Sequence, residues 1–151
     1  MPEDPSPTPF DQPWEYEISF PRDPRGPWVV RSALQAVLTA HGLGPLVDRA
    51  QLLTSELTTN SVRYSEHPVR VRVRWDHPVL RVSVSDANPE LPGVLKPDTE
   101  DECGRGMFIL EVFADRWGGF SLDEGAFGLG GKTVWFELGL GGPTPVPALA
   151  A

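Results

Sequence analysis

Glu56 and Asn60 stand four residues apart in Glu56-Leu57-Thr58-Thr59-Asn60. On a helix that spacing puts a carboxylate and a carboxamide on one face, a turn apart. Two oxygen donors placed so suit a Mg²⁺–phosphate group. Asp86 ends an alternating apolar run, and Gly104-Arg105-Gly106-Met107 precedes a second helical pattern. A carboxylate at a strand end can accept a hydrogen bond from the amino group of a base such as adenine. Backbone amides reached through glycines at a helix N-terminus bind anions, and Arg105 adds positive charge there. A cation, a base and a phosphate together make a nucleotide site, and the order and spacing of these signals carry that reading.

The elements that must position these groups follow from apolar periodicity. Trp14 to Phe20 alternates as a first strand, and Pro24 to His41 repeats Val30, Ala33, Leu34, Val37 and Leu38 at helical spacing. Gly42 and Gly44 end that helix. Pro45 to Tyr64 is a second helix, striped by Leu46, Ala50, Leu53, Leu57 and Tyr64. At 100° per residue Asn60 projects inside that stripe and Glu56 lies at its edge.

Val69, Val71, Val73 and Trp75 alternate with Arg70, Arg72 and Arg74, a half-buried strand. Asp76-His77-Pro78 turns the chain into a returning strand with Leu80, Val82 and Val84 inward, so the two pair as an antiparallel hairpin. Asp86 shares the inward parity. Residues 87–103 form a long proline-bearing loop, and Gly104 to Trp117 is a third helix. Residues 116–121 offer a short strand and Thr133 to Leu138 a last one. The expected fold is α+β: a two-layer α/β sandwich whose mixed, mostly antiparallel sheet is covered on one face by helices.

The chain has 151 residues, 40% of them hydrophobic, enough for one domain with a core. Prolines crowd residues 1–13, and residues 140–151 are rich in proline and small residues. Both read as tails, leaving 14–139 as the folded part. A net charge of −8, from 13 basic and 21 acidic residues, argues against general nucleic-acid binding. Cys103 is the lone cysteine, so neither an internal disulfide nor a cysteine metal site can form. With no apolar run near ~20 residues and no basic, apolar leader, no membrane association is expected and the cytoplasm is the expected compartment.

Each signal has an ordinary reading beside the chemical one. Glu56 and Asn60 can be a polar pair on a helix flank, Asp86 an Asx-type turn acid before Pro89, and Gly104 and Gly106 loop punctuation. Thr133 offers a hydroxyl to a pocket or is a plain strand former. Arg70, Arg72, Arg74 and Arg81 make a solvated sheet face or a partner surface. His41, His67 and His77 lie at element ends without ligand spacing.

Taken in order, the motifs resemble the histidine-kinase-like ATPase superfamily, the Bergerat fold. Most similar are small bacterial ATP-binding proteins related to serine-kinase anti-sigma factors. Glu56 to Arg63 is similar to the N box, Asp86 with the proline-bearing stretch after it to the G1 box, Gly104 to Met107 to the G2 box, and Gly131 to Leu138 to the closing strand. The resemblance implies ATP and Mg²⁺ as cofactors, with Asn60 holding Mg²⁺ and Glu56 the general base on an attacking serine hydroxyl. It implies Asp86 on the adenine amino group with Thr133 nearby, and Gly104, Arg105, Gly106 and Met107 at the lid over the phosphates. The implied reaction moves the ATP γ-phosphate to a serine of an anti-anti-sigma (STAS-type) partner. A sigma factor as second partner and a homodimer are implied as well. The G1 glycines expected two and four residues after the aspartate are here Asn88 and Glu90, and the first glycine is Gly93. Asp98, Glu100, Asp101 and Glu102 make the lid acidic. Those departures leave open a non-catalytic ATP-sensing module, and a sandwich that has lost nucleotide binding.

Overall fold

The structure is a computed structural model that describes residues 12–64, 67–87, 102–122 and 131–140, without the side chains of 64, 102–107 and 122. The expected tails therefore lie outside the described residues apart from Gln12, Pro13 and Leu140, and so do Gly93 and nearly all of the long loop.

The chain runs β1 (Trp14–Phe20), α1 (Gly26–Ala40), a 3₁₀ turn (Gly44–Leu46), α2 (Val47–Tyr64), β2 (Val69–Asp76), β3 (Val79–Asp86), α3 (Glu102–Phe113), β4 (Arg116–Leu122) and β5 (Gly131–Gly139). Five strands form one sheet in the order β1-β2-β3-β5-β4. Every pairing is antiparallel. Alternation in β2 and β3 sorts the sheet into two unlike faces. Val69, Val71, Val73, Trp75, Leu80, Val82 and Val84 are buried with Val134, Phe136 and Leu138 of β5. Val30, Leu34 and Leu38 of α1 and Ala50, Leu53 and Leu57 of α2 belong to the same core. Full burial of each such aliphatic side chain is worth about 1.5–3 kcal/mol, so apolar matching of helix stripe to sheet face fixes the layers.

Two close approaches fix the chain path. A Cβ on Gly26 would run into the ring of Phe20, so β1 and the start of α1 meet through a glycine. Arg22, just past β1, donates to the Val62 carbonyl at 3.0 Å and satisfies one of the acceptors left open at the end of α2. At the far end of the sheet Asp115 accepts from the Gly139 amide at 2.5 Å and pairs with Arg49 at 3.3 Å, tying α2, β4 and β5 together.

Two expectations about α3 are corrected. The helix starts at Glu102, so Gly104 to Met107 lie within its first turns rather than opening it. Glutamate is a residue type favoured at the positive end of the helix dipole. The helix also ends at Phe113 rather than Trp117. The expected short strand at 116–121 holds there instead: it runs Arg116–Leu122, and its pairing of Trp117 with Phe136 turns Trp117 onto the core side.

Candidate functional site

The far half of α2 carries the polar face that matters. Thr54, Thr58 and Ser61 are buried on the same side of the helix as Leu57. A buried hydroxyl needs a partner. Thr58 finds one in its own helix, donating to the Thr54 carbonyl at 2.7 Å. Ser61 finds one in the sheet, where its hydroxyl donates to the Asp86 carboxylate in a short hydrogen bond.

Asp86 is the last residue of β3 and is 5% exposed, so its expected inward parity holds. A buried carboxylate must be compensated. Lys132, its register partner on β5, does this: the ammonium donates to Oδ1 at 2.9 Å and to Oδ2 at 3.0 Å. The lysine side chain is itself only 8% exposed. Helix, strand end and neighbouring strand thus meet at one carboxylate.

Asn60 lies beside this group and is half-buried. Its Nδ2 is buried without a hydrogen-bond partner among the described residues. An orphaned buried amide costs about 1–3 kcal/mol, a cost that an incoming ligand would relieve. A half-turn of the same amide presents Oδ1, a hard oxygen of the kind Mg²⁺ takes. Glu56, half-buried one helical turn earlier, supplies a carboxylate on the same side. Among the described residues no cluster of three or more His, Cys, Asp or Glu could hold a metal alone. Asn60 therefore fits a Mg²⁺ that takes its remaining ligands from phosphate and water, the usual arrangement for this ion, and Glu56 stands one helical turn away from it.

Leu57, Asn60, Ser61, Val84, Lys132 and Val134 enclose a residual space of about 10 Å³. That is room for a single water. This small space lies between α2 and the sheet, and Lys132 forms part of its wall.

Thr133 does not join the group. It pairs with Ser85 in register, and antiparallel alternation sends both to the uncovered face, where their hydroxyls hydrogen-bond at 2.8 Å. The inward residue at the start of β5 is Lys132, one position earlier. Gly104, Arg105, Gly106 and Met107 lie on α3, which packs along α2. Sequence reasoning missed Ser61 and Lys132. Both had a signal: Ser61 follows Leu57 by four on the stripe, and Lys132 shares the parity of Val134, Phe136 and Leu138.

The uncovered face supports the reading of a solvated surface. Arg70 pairs with Glu17 at 3.5 Å, and Arg72 with Glu15 at 3.7 Å and Glu17 at 3.4 Å. Arg81 lies 3.9 Å from the Trp135 ring centroid and pairs with Glu137 at 3.7 Å.

A family model described as histidine kinase-like ATPase domain matches residues 20–137 of the chain. No curated protein matches it. The matched span begins at the last residue of β1 and ends in β5, so it contains α2, Asp86 and Lys132.

Proposed function

The chain belongs to the histidine kinase-like ATPase domain family, and from that premise we propose an ATP- and Mg²⁺-dependent regulator that phosphorylates a serine of a protein partner. An ATPase domain of this family binds ATP, and a regulatory role accords with it. The observation that carries the finer reading is that Asn60 and Ser61 line one small pocket whose Ser61 and Lys132 hold the buried Asp86 carboxylate, with Glu56 one helical turn before Asn60.

In this reading Asp86 accepts the adenine amino hydrogen, and Asn60 holds Mg²⁺ against the phosphates. The ion supplies charge neutralisation on the phosphate oxygens. Glu56 takes the proton of the attacking serine hydroxyl. A bond forms from the serine oxygen to the γ-phosphorus, the bond from that phosphorus to the β–γ bridging oxygen breaks, and ADP leaves. Protein catalysis of this transfer is mostly positioning and electrostatics, which suits groups held on a packed helix. By resemblance the acceptor is an anti-anti-sigma (STAS-type) protein, and a sigma factor is a second partner that the exchange releases.

The test is incubation of the protein with ATP, Mg²⁺ and a cognate anti-anti-sigma protein, followed by phosphoserine mapping. Phosphoserine that depends on Glu56 supports the kinase. Its absence with a cognate partner shown to bind removes the kinase. A second reading, an ATP-sensing protein-binding module without turnover, is favoured by Asn88, Glu90 and the acidic stretch from Asp98 to Glu102. It expects ATP binding that Glu56→Ala leaves unchanged and no phosphate transfer by either protein.

A further inference from the structure

The base-recognising carboxylate of the proposed ATP site is already engaged. Asp86 holds the Lys132 ammonium through both oxygens and the Ser61 hydroxyl through one. Among the described residues the space left beside them is about 10 Å³, far below what a purine ring displaces. Its walls do not yield easily elsewhere, because Leu57, Val84 and Val134 are buried members of the core. Lys132 is the long, flexible member of the set. Of the 13 basic residues only Lys96 and Lys132 are lysines. A lysine carries a compact charge on a four-carbon stem with free rotation, whereas a guanidinium makes a fixed planar fork.

We propose that Lys132 is a built-in competitor for the nucleobase. An adenine nucleotide enters only as the ammonium withdraws from Asp86, so Lys132 sets the affinity of the site for nucleotide. The inference rests on the ATP reading of this pocket and deepens it. Breaking a buried ion pair is costly because it strands a charge, and that cost is subtracted from the binding of the base. An adenine amino group returns one hydrogen bond to Asp86 but no positive charge, so the exchange is unequal. The site is thereby biased toward its closed form, and nucleotide must be abundant or helped by a partner to occupy it.

The experiment is calorimetry of the full chain with ATP and Mg²⁺, comparing wild type, Lys132→Thr and Lys132→Gln. Threonine removes both stem and charge. Glutamine keeps much of the volume and one donor to Asp86 while removing the charge, so the carboxylate keeps a partner and the fold is protected. Urea unfolding without nucleotide reports which variants are folded. The expected result is a Kd about tenfold lower or more in Lys132→Thr, with Lys132→Gln between it and wild type. Such a gain alongside lowered stability separates competition from a structural role, which would weaken both. Equal or weaker binding in the folded variants, with wild type binding ATP, overturns the competitor and leaves the ATP site standing. Absence of binding by all three at millimolar ATP overturns the ATP reading itself.

Discussion

Asp86 and Lys132 face one another across the β3–β5 ladder and join as an ion pair whose side chains are 1% and 8% exposed. The pair closes the sheet end of the pocket under α2. Removing one member of a buried pair leaves the other charged in a place from which water is excluded. Asp86→Ala is therefore expected to cost about 3–5 kcal/mol in urea unfolding. It should also abolish ATP binding in calorimetry. Retained ATP binding in a folded Asp86→Ala protein would remove Asp86 from the base site.

The proposed function gives Glu56 and Asn60 different roles. Glu56→Ala should lower phosphoryl transfer about 10²- to 10⁴-fold, the usual range for losing a general base, while the Kd for ATP stays within a factor of two or so. Asn60→Ala should instead weaken binding measured with Mg²⁺ and change binding measured with EDTA little. Parallel loss of binding in both variants would contradict the division.

Gly131 opens β5 with a φ of 139°, and a Cβ there would run into the Asp86 carbonyl oxygen. A side chain is strained at that backbone angle whatever the space around it. Gly131→Ala should destabilise by about 2 kcal/mol or more in urea unfolding. It should also loosen the neighbouring Lys132–Asp86 pair. A change under about 0.5 kcal/mol would mean that the strand start adapts freely.

Asp23, before α1, accepts from the Arg25 guanidinium at 3.0 and 2.7 Å and from the Arg25 amide at 2.8 Å. The side-chain hydrogen bond first, and the backbone one second, hold its pKa down to about 2 from 3.8. A carboxylate depressed in the folded state stabilises above its unfolded pKa, and loses that contribution as pH falls through the folded value. The window is therefore from about 4 down to about 2. Both groups are solvated, so the effect on stability is small. Carboxyl NMR should place the midpoint near 2 in wild type, and Arg25→Ala should return it toward 3.8. An ordinary midpoint in wild type would refute the pairing.

Much of this fold was legible because burial and period agree. The β2–β3 hairpin, α2 and the inward parity of Asp86 follow from alternation and helical phase alone, and the observed elements keep those bounds closely. What escaped came from pairing between distant segments. The expected strand at 116–121 and the expected helix end at Trp117 overlap, and only the edge that β5 offers decides for the strand. The family resemblance implies Thr133 near Asp86, yet strand register decides that Lys132 faces inward. Helical phase places Ser61 on the buried stripe but names no partner for it. Only the arrival of β3 beneath it gives its hydroxyl a partner.

The start of β5 also fixes what an insertion or deletion would do. Gly131 is pressed onto the Asp86 carbonyl at one end, and the Gly139 amide is held by Asp115 at the other. Slipping the strand by one residue between those stops would exchange ammonium for hydroxyl in the pocket and carry the Trp135 ring from the open surface into the core. The number of residues between the two glycines is thus as much a part of the binding chemistry as any side chain. Point substitutions can tune this site one group at a time, whereas a single-residue change in strand length would rewrite it whole.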